Sequence, residues 1–161
     1  MNENKIKSLI EIARIHESHL LYALNNLAAI FPLTEEKVTH LTKQEFLLVD
    51  FLVNRFCRLQ DFMGSNLINA VLIQMNEFAD DLTMIDKMNK LEKFHLIRDA
   101  GLWKEMRKLR NHLIHEYPDH PELVAMFLNR AYPLSFELLE ILNNLLKKLE
   151  SSPAQIKKSV L

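Results

Sequence analysis

Glycine is scarce in this chain of 161 residues: there are two, with five prolines and one cysteine. Strand-rich folds and phosphate-binding loops need glycine for tight turns and close backbone approach. A β-sandwich, a barrel and a nucleotide-binding α/β fold are therefore excluded. The single Cys57 rules out an internal disulfide and a cysteine-based zinc centre, and it fits a reducing compartment. No apolar run approaches the ~20 residues of a membrane span. The opening Met1–Lys5 is charged rather than the start of an apolar leader, and together these features point to the cytoplasm. Also missing are G-x-S-x-G, H-E-x-x-H, a glycine-rich phosphate loop and Cys–His metal spacing. His112 and His115, at i and i+3, have no acidic pair at matching helical spacing to complete a metal site, so no metal is expected.

What remains is 48% hydrophobic and 25% charged, the composition of a globular domain of a size that buries a real core. The hydrophobic residues recur at helical spacing. Ile6, Leu9, Ile10, Ala13, Leu20, Leu24, Leu27 and Phe31 mark one face of a first helix over residues 4 to 31, stopped by Pro32. His16 lies on that stripe as a core-edge histidine with a hydrogen-bond partner. Thr42 and Glu45 form a capping box that opens a second helix, which runs past Gly64 to Met75. Asp50 and Asp61 lie close to its apolar surface as partners for a buried cation. A shorter helix spans Ile85 to Ile97, and another runs from Leu102 to about Tyr117. Asp119 and Glu122 read as the cap of a last helix that ends near Glu150 and bends at Pro133. The expected fold is all-α, an antiparallel bundle of four to five helices over residues 1–150, with a polar tail at 151–161.

The chemistry is concentrated in Lys104–Tyr117. At roughly 100° per residue, Leu102, Met106, Leu109, Leu113 and Ile114 form an apolar arc. Arg110 and Tyr117 project into that same arc. A guanidinium in an apolar face needs charge-assisted partners. Either an internal carboxylate such as Asp50 or Asp61 meets Arg110, or Arg110 lines a cleft that receives an anion. Lys104, Arg107, Asn111 and His115 form a second, polar stripe. His115 falls in the last turn, where the helix dipole favours a cation, and histidine is the side chain suited to proton exchange near neutral pH. Arg110 and His115 stand about 140° apart on an ideal helix, so one site can include both only through the reach of the arginine, a distorted last turn or a second subunit. From Lys87 to His115 there are eight cations against three acids, in a chain of net charge −1. Such a basic region suits a polyanion, with Lys104, Arg107, Lys108 and His112 as the nearest contacts. On charge alone, a solvated helix face with ordinary surface lysines accounts for it better.

Arg110-Asn111-His112-Leu113-Ile114-His115-Glu116-Tyr117 resembles the R-x4-H-x-Y signature of the HEPN superfamily, in the form found in HepT-like toxins. The placement is similar too: a motif at the end of a late helix, a short turn, then a long last helix. The resemblance implies a helical homodimer with ribonuclease activity that needs no metal or other cofactor. It implies that Arg110 neutralises the scissile phosphate and that His115 serves as general acid or base. Asn111 would orient one of them. The 2′-OH would attack the adjacent phosphate and leave a cyclic phosphate end. Tyr117 matches the tyrosine that a partner nucleotidyltransferase modifies with AMP. The implied partners are RNA, a second copy of the chain and a separate minimal nucleotidyltransferase antitoxin, because this sequence has no nucleotidyltransferase pattern of its own. Some relatives of such toxins are non-catalytic, substrate-binding subunits of nucleotidyltransferases. The Pro118-Asp119-His120-Pro121 continuation and the long connection over residues 33–45 depart from the commonest HepT-like pattern.

Overall fold

The computed structural model describes residues 2–115 and 119–151, and among these every regular element is a helix. Helix α1 spans Glu3–Leu27, α2 Glu35–Thr39 and α3 Lys43–Phe62. A π-helical turn, Met63–Leu67, joins α3 to α4 (Ile68–Gln74). Then follow α5 (Met84–Lys93), α6 (Ala100–Leu113) and α7 (Pro121–Glu150).

Local signals explain most of these boundaries. The Thr42–Glu45 capping box opens α3, as the sequence predicts, and Thr83 with Asp86 makes a second one for α5. Helix α1 ends at Leu27, short of Phe31, and the chain turns before it reaches Pro32. Helix α2 was not expected: residues 33–45 read as a connection, but Thr34 accepts from the Lys37 N–H and caps one short helix there. Helix α5 ends at Lys93, before Ile97, because the chain turns at Phe94 and His95, and His95 adopts φ 57°. Helix α6 begins two residues earlier than expected, with Asp99 as cap, and α7 starts on Pro121 with His120 in the cap position. The expected Asp119 cap is therefore incorrect. Glu122 instead meets the His120 Nδ1 at 2.9 Å. Pro133 sits inside α7 without ending it. The expected tail lies outside the described residues beyond Ser151.

Helices pack side by side with reversed direction. His16 meets Phe62 while Tyr22 meets Phe51, so α1 and α3 are antiparallel. Glu105 pairs with Arg130 while His112 stacks on Phe127, so α6 and α7 are too. Helix α7 is the central element. Its stripe Leu128, Leu134, Leu138, Leu142, Leu145 and Leu149 is buried at helical spacing, and each such leucine contributes roughly 1.5–3 kcal/mol by leaving water. Side-chain amides tie loops to this element. Asn129 accepts from the Leu33 N–H at 2.6 Å and donates to the Leu33 carbonyl at 2.8 Å, and Asn144 donates to the Leu96 carbonyl at 3.2 Å.

The π turn contains Gly64. Its backbone lies flush against Trp103, where an added Cβ would stand 3.4 Å from the indole ring. One extra residue is taken up here, the Ile68 N–H reaching back to the Met63 carbonyl. Such turns re-aim the side chains beyond them. No helix among the described residues is long and apolar enough to cross a membrane.

Candidate functional site

Helix α6 is fixed first at its start. Asp99 accepts from the Gly101 N–H and Glu92 of α5 accepts from the Ala100 N–H, both at 2.7 Å. Two carboxylates at a helix N-terminus satisfy orphan donors and complement its dipole. Leu102, Trp103, Met106 and Leu109 then bury the apolar arc. The same arc continues into Arg110, which is thereby aimed at α3.

There Arg110 meets the second of the two carboxylates that the sequence offers. Its Nη2 donates to Asp61 Oδ2 at 2.8 Å, and its Nη1 donates to the Asn111 side-chain oxygen at 3.3 Å. The Nε is buried with no partner. The pair is open to water: the side chains keep 24% of their accessible surface for Arg110 and 44% for Asp61. One turn earlier on α3, Cys57 is buried beside them, and burial pushes its thiol up to about 11, with Arg110 pulling the other way. Asp50 is exposed and takes no part in this cluster.

His115 lies elsewhere. Helix α6 ends at Leu113, and the His115 N–H donates to the His112 carbonyl at 3.2 Å in the turn that follows. The imidazole is exposed, and no described side chain bonds to it. Within one chain, then, Arg110, Asn111 and Asp61 come together and His115 does not join them. His112 faces away from Arg110. Its ring stacks on Phe127 of α7 at 4.5 Å between centroids, and the two border an open groove of about 550 Å³ with Lys108, Met126 and Arg130. Tyr117, the AMP-acceptor candidate, lies outside the described residues.

The basic region is thinner than its count suggests. Lys90 pairs with Glu77, Arg98 with Glu137 and Arg110 with Asp61, which takes three of the eight cations out of the excess. Lys104, Arg107 and Lys108 stay exposed on α6 with no ion pair among the described residues. A pair of arginines with histidines beside it is not apparent from the sequence. His16 and His19 of α1 face Arg55 and Arg58 of α3, and only the antiparallel pairing of the two helices assembles them. The i, i+3 spacing of the arginines was the one signal available. His16 also departs from expectation. Its Nδ1 is buried with no partner, and the ring rests against Phe62 instead. Burial and the neighbouring Arg55 hold its imidazole below the ordinary histidine range.

Among the described residues no group of three or more His, Cys, Asp or Glu side chains is arranged to hold a metal ion. No family model, no curated protein and no solved structure matches this chain.

Proposed function

We propose that this chain is a HEPN-type endoribonuclease that works in the cytoplasm as a HepT-like toxin, neutralised by a separate nucleotidyltransferase antitoxin. In this reading the helices form a HEPN-like bundle, and two copies pair so that their α6 ends border one cleft. Arg110 supplies the phosphate-binding guanidinium, Asn111 orients it, and His115 moves the proton. Lys104, Arg107, Lys108 and His112 hold flanking RNA, and Tyr117 is the site of modification. Cleavage needs no metal: the 2′-oxygen bonds to phosphorus as its proton leaves, and the bond from phosphorus to the 5′-oxygen breaks as that oxygen gains a proton. The products are a 2′,3′-cyclic phosphate and a 5′-hydroxyl.

The observation that carries the reading is the state of Arg110. The guanidinium is set in an apolar helix face, tethered by one oxygen of a half-exposed carboxylate. It therefore keeps donors for an incoming phosphate. A structural ion pair would be expected to be forked and closed. Incubation of the purified protein with RNA in EDTA tests the proposal. Cyclic-phosphate ends are expected, and both Arg110→Ala and His115→Ala abolish them. Absence of cleavage between pH 5 and 9 refutes it.

One observation favours a second reading, a non-catalytic accessory subunit of a nucleotidyltransferase. Arg110 and His115 do not meet within one chain. In that case the purified protein binds the nucleotidyltransferase and cuts nothing.

A further inference from the structure

The α1–α3 face holds two arginines that the protein leaves without a carboxylate. Arg14, Arg98, Arg110 and Arg130 each engage an acid. Arg55 and Arg58, like Arg107 on α6, do not among the described residues. Arg58 Nε donates to the Asn54 side-chain oxygen at 2.7 Å, and Arg55 Nη2 shares that oxygen at 3.3 Å. Arg55 Nη1 reaches His19 Nδ1 at 3.4 Å, and its Nε is buried with no partner. A guanidinium has five N–H donors, so most of those on this pair are unclaimed. Two histidines, His16 and His19, line the same face. Glu17, next to His16, is engaged by Arg14, and Asp61, one turn after Arg58, is engaged by Arg110.

Aromatic rings lie between the charges. Arg55 sits over the ring of Phe51 at 5.1 Å. Tyr22 meets Phe51 edge-on at 6.4 Å and keeps 58% of its surface exposed. Arginines beside an exposed aromatic ring are the combination that holds single-stranded nucleic acid, with phosphates on the cations and a base on the ring. The direction of the row matters as well. Arg55, Arg58 and Asp61 follow one another along α3, so Arg55 lies about 9 Å of helix rise from the residue that holds Arg110.

We infer that the α1–α3 face is a binding track for single-stranded RNA, in which Arg55 and Arg58 take backbone phosphates and Tyr22 stacks a base, leading the strand to Arg110. This rests on the ribonuclease reading for the identity of the strand.

The experiment measures anisotropy of a labelled 12-nucleotide RNA, fully 2′-O-methylated so that it cannot be cleaved, against full-length protein at several salt concentrations. Arg58→Glu is the main variant, since Arg58 is exposed and its replacement spares the core. Arg55→Ala/Arg58→Ala and Tyr22→Ala accompany it, with Arg98→Ala as a control and urea midpoints to verify folding. Arg58→Glu and Tyr22→Ala are each expected to weaken binding about tenfold. The double variant makes the slope of log affinity against log salt shallower by about 1.4, at ~0.7 per phosphate for a single strand. Arg98→Ala binds as wild type. Wild-type affinity and slope in the variants overturn the inference, and so does a wild-type protein that binds no RNA. A change of oligomeric state in Arg58→Glu with RNA affinity intact also overturns it, by making this face a subunit contact. Weakened binding by the variants beside a wild type that cuts no natural RNA removes the ribonuclease reading and leaves the track standing. Cleavage by wild type with unaltered binding by the variants does the reverse.

Discussion

Replacing Arg110 by Ala separates an arginine held ready from an arginine that locks the fold. The pair with Asp61 is a single 2.8 Å contact, and the two side chains retain 24% and 44% of their surface. Exposed ion pairs contribute about 0.2–1 kcal/mol, whereas breaking a buried one costs about 3–5 kcal/mol because a charge is left stranded. Asp61 remains wetted after the substitution, so no stranded charge results. The pair then accounts for about 1 kcal/mol, and loss of the arginine's aliphatic stem adds up to about as much again. A total of about 1–2 kcal/mol lowers Tm by roughly 2–8 °C in a chain of this size. Urea unfolding followed by far-ultraviolet circular dichroism measures it, with the slope m unchanged. Cleavage of RNA should fall by about 10²-fold or more, the usual effect of removing a group that stabilises developing charge. A stability loss above about 3 kcal/mol would refute the reasoning: the guanidinium would then be a closed structural element with no donors to offer. Retention of wild-type cleavage would refute the assigned role.

Three further outcomes follow from the packing. The folded-state pKa of His16 is lowered, first by burial and then by Arg55, His19 and Arg58, from 6.5. Its contribution to stability is therefore complete above pH 6.5 and is lost as pH falls through the lower folded value. Urea midpoints should drop between pH 7.5 and 5.5 in wild type and drop less in His16→Gln; equal slopes would contradict the assignment. Cys57, with its thiol pushed up to about 11, should react with a disulfide reagent at pH 8 only as fast as the protein unfolds, and immediate stoichiometric reaction would show it to be accessible. Asn129→Ala removes both bonds to the buried Leu33 backbone and should cost about 1–3 kcal/mol, read from chemical denaturation. A loss below about 0.5 kcal/mol would mean that water replaces the amide.

The elements that could be read from the sequence were those with local causes. The Thr42 cap announces α3 because its partner Glu45 lies three residues on, and the leucines of α7 announce a buried stripe because the period lies within one helix. Helix α2 was hidden, since its five residues carry no apolar repeat and depend on Asn129, almost a hundred positions away, to hold Leu33 beside α7. The π turn was equally invisible: Gly64 signalled a weak point, but nothing local shows that the backbone takes up an extra residue there. At the site, Asp61 was one of two carboxylates that the pattern offered to Arg110, and the choice between them required the crossing of α3 and α6. The grouping of the α3 arginines with the α1 histidines went unnoticed for the same reason. Neither helix is basic, and the arginine–histidine group forms only once His16 and His19 lie beside Arg55 and Arg58.

The position of α7 has a consequence for synthesis. Leu145, Leu146 and Leu149 are fully buried, so α1, α3 and α6 have no complete wall to close against until residue 149 has left the ribosome. Segments that emerge earlier can coil into helices but cannot settle into the finished interior. A chain stalled even two turns short of residue 149 therefore leaves an apolar trench for chaperones and proteases to find.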